Sequence, residues 1–516
     1  MKNRSRRKFL SEVGNGMLVG SLGTALAADM GLSTAYGSEE TDRLTFGELE
    51  PLVSAMQETP LERLQPKLVS MLNSGTDLRT LVAAGALANA RTFGGHDYIG
   101  YHTFMALTPA LDMAAQLPDE MKPLPVLKVL YRNTQRIQAF GGSDREVLRP
   151  VARGKTEPSR VDGRSLQAAT RQAKFGEADE MMAAINDHPA GEIFNHVQYS
   201  VQDSANVHRV VLAWRAWATL DLVGQEHAGT LLRQSVRFCL NSSERRIDKR
   251  KPDPELWTLL PKMFDQYKLA GKPLANRKAD DMWIEDFAWT VATSNRAQAA
   301  DAAAAALAEG FSPDSIAEAI SVAANLLLLH DPGRTKQSGY DKDKGSVHGD
   351  SVGVHASDAA NAWRNIAKVS SPRNTIASII VGAYHTAGQM GNRRHERWPL
   401  KSDEVASITD SAKLIEIAED AVRQRDQGLA AAAVERYHQL GAAPKPVFGM
   451  LLKYATSEEG ALHAEKFYRT VTEEFATTRE TLRWRQLIGL ARVTASEFGT
   501  KAGGYHQACE LIGIQA

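Results

Sequence analysis

Fourteen histidines occur in this chain, and six of them sit in apolar surroundings: His102, His196, His208, His330, His355 and His385. Imidazole is the commonest metal ligand and the usual general base near neutral pH, so a shared set of them suits either chemistry. A lone histidine in an apolar run is ordinarily a core residue with satisfied nitrogens. Six such residues in one chain weaken that plain reading. The densest stretch spans 325–363, NLLLLHDPGRTKQSGYDKDKGSVHGDSVGVHASDAANAW. A very apolar helix ends at His330. A polar loop rich in Gly and Lys carries His348. The chain returns through His355 into an Ala-rich helix. Loops held by rigid elements are where chemistry concentrates.

The expected roles follow residue type. His208, His355, Asp358, Tyr101 and Tyr199 are candidates for catalysis. His102 and His385 are candidates for holding a cofactor. His196, His330, His348, Glu192 and Asp203 are candidates for ligating iron, copper or zinc. At 100° per residue, Glu192, His196, Tyr199 and Asp203 fall at about 0°, 40°, −20° and 20°, one stripe if their helix is continuous. Glu and His at i, i+4 can share a metal, or the carboxylate can orient the ring. A solvated helix face has the same pattern. His208 lies about 120° from His196, so the two converge only if the helix bends. Asp358, three residues after His355, either holds that imidazole or is an acid in a first helical turn. His96 and His102 bracket Tyr98 and Tyr101 behind Gly94-Gly95, a pocket wall or a tight helix–helix turn.

The elements that must position these residues read as helices. Ala, Leu, Glu, Gln and Arg dominate, and no run of alternating β-branched residues with turn signals appears. The pattern predicts an all-α, multi-helix assembly, helical-repeat or α/α-toroid-like, with little or no β. Residues 77–91 read as a buried helix, 103–117 as another apolar helix, 192–221 as a long, mostly helical stretch, and Ser312 as the N-cap of the helix running to His330. Val207-His208 and Val354-His355 each enter an Ala/Trp segment, which predicts two helices with His near their starts. The expected organisation is a signal over 1–37, a helical region over 38–143, a linker or long loop over 144–171, a His-rich helical region over 172–402, and amphipathic helices over 403–516.

Lys plus Arg and Asp plus Glu both number 61, a balance that argues against a nucleic-acid partner. The two cysteines exclude a disulfide scaffold and carry no CxxC. No dinucleotide, P-loop, GxSxG or HExxH pattern occurs. The first residues read Arg4-Ser5-Arg6-Arg7-Lys8-Phe9-Leu10-Ser11, followed by a weakly apolar, Gly-rich run and Ala25-Leu26-Ala27. This resembles a twin-arginine signal with an A-x-A cleavage site. It implies the twin-arginine export machinery as a partner and a periplasmic or extracellular location. No later run reaches the ~18 apolar residues of a membrane span. The segments YHTFMALTPA, LPVLKVLYRNTQRI and VHGDSVGVHASDAANAW are similar to those of exported bacterial helical proteins. More distantly, His102 and Val354-His355-Ala356 with Ala359, Ala360 and Ala362 resemble the questin oxidase-like group. That likeness covers about a fifth of the chain and implies an all-helical oxidoreductase.

The leading expectation is therefore an exported metal- or cofactor-dependent oxidoreductase with a multi-histidine site between helices, its substrate a small molecule or a glycan. One alternative is a metal-independent polysaccharide lyase or hydrolase on a helical toroid, with Trp214, Trp217 and Trp363 lining a glycan cleft. The other is a non-catalytic helical scaffold. A shared site requires ring nitrogens of His355 and of His196 or His208 within about 10 Å of each other.

Overall fold

The computed structural model describes residues 43–243, 254–334, 345–347, 351–389, 397–398 and 400–515. The twin-arginine-like segment and His348 lie outside the described residues. Among the described residues the chain forms 23 α-helices and a few 3₁₀ turns, with two isolated β-bridges and no sheet. The all-α expectation is met. No described helix is long and apolar enough to cross a membrane. Eleven helices build the centre: α1 (Leu78–Phe93), α2 (Tyr98–Ala114), α3 (Pro123–Phe140), α4 (Gly163–Arg171), α5 (Ala190–Val201), α6 (Val207–Val223), α7 (Pro313–Leu329), α8 (Val352–Val369), α9 (Pro372–Ala387), α10 (His463–Thr477) and α11 (Glu480–Glu497).

Helices α2, α6, α8 and α10 form a closed ring, each packed on the next and α10 back on α2. The ring is held from outside. Asn89 of α1 donates to Gly100 O at 2.8 Å, Thr103 Oγ1 at 2.9 Å and Asn133 Oδ1 at 2.7 Å, locking α1, α2 and α3 together. Asp97 caps α2 by accepting from Gly100 N and pairs with Arg136 of α3. On the other side, Gly353 of α8 lies against α7, where a Cβ would stand 2.3 Å from Leu328 Cα. Only a residue without a side chain permits that approach.

Two sequence expectations change here. Residues 192–221 are not one helix. The chain breaks between Val201 and Val207, and Asn206 caps the new helix by accepting from Arg209 N at 3.2 Å. An Asn side chain that bonds the backbone two or three residues on stops one helix and starts another. The stripe drawn through Glu192 and Asp203 therefore does not continue, because Asp203 lies past the end of α5. Residues 144–171 are irregular only in part, since Asp162 and Ser165 form a capping box that starts α4.

The close approach at Gly353 gives a stability test. Gly353→Ala is expected to destabilise the chain by about 1–3 kcal/mol, because backbone must move. Gly176→Ala, in an exposed helix position with open space around it, is expected to gain about 0.5–1 kcal/mol. Urea unfolding of both variants checks the contrast.

Candidate functional site

Each helix of the central ring brings one histidine to the same point. His102 is the fifth residue of α2, His208 the second of α6, His355 the fourth of α8 and His463 the first of α10. Ring centres are 4.7 Å apart for His102–His208, 5.7 Å for His208–His355, 5.7 Å for His355–His463 and 5.2 Å for His463–His102. The 5.7 Å between His208 and His355 lies well inside the ~10 Å expected. Tyr101 stacks on His102 at 4.9 Å and touches His208 at 5.3 Å. Tyr98 covers His102 at 4.4 Å while leaving 52% of its own surface exposed. The cluster is thus buried at its floor and reaches the surface at Tyr98 and the half-buried His355.

Because His208 and His463 open their helices, His355 is the fourth residue of its own and His102 the fifth, four helix N-termini converge there. Each contributes a partial positive charge. Side chains cap three of them: Asp97, Asn206 and Ser351. The fourth is reached through left-handed backbone at Gly460, Ala461 and Leu462, with φ of 45°, 46° and 63°. For the Ala and the Leu that conformation costs about 1–2 kcal/mol each. Buried Lys128 of α3 holds this entry. Its Nζ donates to Ala455 O at 2.9 Å and Glu458 O at 2.6 Å, and pairs with Glu465 Oε1 at 2.6 Å.

A buried polar seam leads away from the histidines between α8 and α10. Asp358 Oδ1 accepts from Thr470 Oγ1 at 2.7 Å, Asn361 donates to Glu474 Oε1 at 2.9 Å, and Arg364 pairs with Glu474 Oε2 at 2.9 Å. The seam ends at a cleft of about 610 Å³ lined by Asn361, Asn365, Lys368, Arg469 and Glu473. Burial raises the Asp358 carboxyl to about 6, against the pull of Lys466. Burial lowers the Lys466 amine to about 8, against the pull of Asp358. Burial, then the charge of Lys466, holds His102 and His463 well below the usual histidine range. Both rings are neutral at pH 7. His102 Nδ1 lies 2.6 Å from Tyr98 O and so carries the proton it donates, which leaves Nε2 as a lone pair. That Nε2 is buried and has no hydrogen-bond partner among the described residues.

The structure sorts the expected residues into separate neighbourhoods. His102, His208, His355, Tyr101 and Asp358 meet at the ring. His385 does not join them: it lies between α8 and α9, where its Nδ1 accepts from Trp363 Nε1 at 3.2 Å. Tyr199 packs beneath the Arg373 guanidinium at 3.8 Å. Asp203 is spent on Arg171, with both its oxygens accepting at 2.7 Å, so it is an ion-pair anchor. His330 ends α7 at a second cleft with Arg397, Glu435 and His438. Glu192 and His196 remain together, but with His188: among the described residues these three form the one group whose ligand atoms all lie within 4.8 Å of one another, a set that could hold a metal ion. Trp363 is buried, so the glycan cleft loses one of its three expected walls.

Sequence reasoning missed His463 and Lys466. His463 opens its helix as His208 and His355 do, and that signal was readable. Lys466 sits in HAEKFYR, which looks like any solvated helix face. No family model, curated protein or solved structure matches this chain.

The buried carboxyl makes a pH prediction. Asp358 is raised above its ordinary 3.8 to about 6. The folded chain therefore binds that proton more tightly, and its contribution is present below pH 3.8 and lost as pH rises through 6. In urea unfolding at stepped pH, the stability difference between wild type and Asp358→Asn should fall across that window and be flat above it.

Proposed function

We propose that this chain is an exported enzyme working at the four-histidine junction by proton transfer on a substrate that becomes an anion. The observation that carries the reading is the junction itself: two neutral buried imidazoles beside an Asp–Lys pair whose ionisations, about 6 and about 8, bracket neutrality. Paired groups whose environments place them on either side of neutrality are what acid–base catalysis needs. His102 Nε2 is the lone pair that accepts the proton, and the substrate anion formed beside it compensates the imidazolium. Its N–H side is fixed by Tyr98 O, so the ring cannot present the other tautomer. Lys466 and the four helix N-termini favour the negative charge left behind. Tyr98, half exposed over His102, is the surface against which a substrate rests.

This keeps the multi-histidine site expected of an oxidoreductase. A substrate that has lost a proton is electron-rich, and an acceptor such as dioxygen or an organic cofactor would remove its electrons. The likeness to the questin oxidase-like group supports that class. A metal-dependent version is the second reading, and His102 supports it. A neutral imidazole with Nδ1–H held by a carbonyl and Nε2 open is the form in which histidine binds iron, copper or zinc. Against it, the four junction histidines lie outside the one group of ligand atoms that converges within 4.8 Å among the described residues, and Lys466 with four helix N-termini disfavours a cation.

Proton exchange distinguishes the two. The protein is incubated in deuterated buffer with enolisable carbonyl acids and phenols, and exchange is followed by NMR. Catalysed exchange should peak between pH about 6 and about 8, survive chelation, and fall by about 10²–10⁴-fold in His102→Gln. Exchange that chelation abolishes and added metal restores would transfer the site to the metal reading.

A further inference from the structure

Beyond the junction, we infer that His188, Glu192 and His196 form a binding site for a divalent transition-metal ion, zinc by chemistry. His188 Nδ1 lies 3.0 Å from Glu192 Oε1, and His196 Nε2 lies 3.9 Å from the same oxygen. The three ligand atoms all fall within 4.8 Å of one another. Ligands at ~2.1 Å around a tetrahedral ion stand ~3.4 Å from each other, so 3.0 and 3.9 Å bracket the required edge. Small side-chain rotations suffice.

The local fold explains why the three meet. Pro189 precedes α5 and fixes the turn into it. His188 therefore stands just before the helix, and Glu192 and His196 follow at four-residue steps on one face. All three remain accessible, with side-chain exposures of 29%, 50% and 20%. An ion and its remaining water ligands have room on the solvent side.

The donor set selects the ion. Two imidazoles and one carboxylate suit zinc and its neighbours, whereas calcium and magnesium take oxygen ligands. Asp162, the N-cap of α4, adds a second negative charge beside His196 while its Oδ1 accepts from Ser165 N at 2.7 Å. The donor set matches that of catalytic zinc sites with an open fourth position, but it lies on the flank of α5 and shares no residue with the four-histidine junction. It stands or falls apart from the proposed chemistry.

Zinc titration of the tag-free, chelator-stripped full chain by calorimetry tests the site. Wild type and His102→Gln should each bind about one equivalent here, with affinity falling as pH drops through the histidine range. The Glu192→Gln/His196→Ala double variant should bind at least about tenfold more weakly and lose the zinc-dependent rise in Tm. Its far-UV circular dichroism should match wild type, since both altered side chains are at least partly exposed. An unchanged isotherm in the double variant, or loss of the same equivalent in His102→Gln alone, would overturn the assignment.

Discussion

The centre of this protein depends on how it compensates buried charge. Lys466 and Asp358 are fully enclosed between α8 and α10, where an isolated ion costs several kcal/mol. Each answers the other, and Thr470 satisfies the carboxylate directly. Farther along the same seam, Arg364 and Glu474 make a direct ion pair. Such pairs tolerate little slippage, because moving α8 one residue along α10 would strand all of them. The register they impose also sets His355 beside His463.

The rest of the ring is placed by neutral polar locks and by close backbone contact. Asn89, Thr103 and Asn133 settle α2, and the absence of a side chain at Gly353 seats α8 on α7. Strained backbone at Ala461 and Leu462 is tolerated where it delivers His463 to the cluster. Strain of that kind persists only where surrounding structure over-determines it, and it gathers at functional sites. Lys128 is part of that surrounding structure, bonded to carbonyls on the approach and paired with Glu465 two residues beyond His463.

Burial and convergence give the cluster its electrical character. Desolvation strips charge from His102 and His463, and the helix N-termini and Lys466 oppose any further cation. The same junction is receptive to negative charge. A site that keeps its histidines neutral and favours an anion is suited to holding a deprotonated substrate. The flank of α5 has the opposite character. There Glu192 and Asp162 add negative charge around histidines that are partly solvated, which suits a cation.

Local composition and spacing determined the helical class, the caps and the placement of His208 and His355 at helix starts, because propensity and capping act within a few residues. They also marked Glu192 and His196 as a pair, since i, i+4 neighbours meet on any helix. Only the tertiary structure decided which histidines share a site. His102 and His463 come from opposite ends of the chain and meet through helix packing, which has no local signature. Lys466 reads as a surface charge in sequence and is buried in the fold, because burial depends on what packs against a helix face. His385, Tyr199 and Asp203 had the residue types for chemistry, yet packing gave them Trp363, Arg373 and Arg171 as partners. The break at Asn206 put His196 and His208 on separate helices, leaving His196 on the flank of α5 and bringing His208 to the ring.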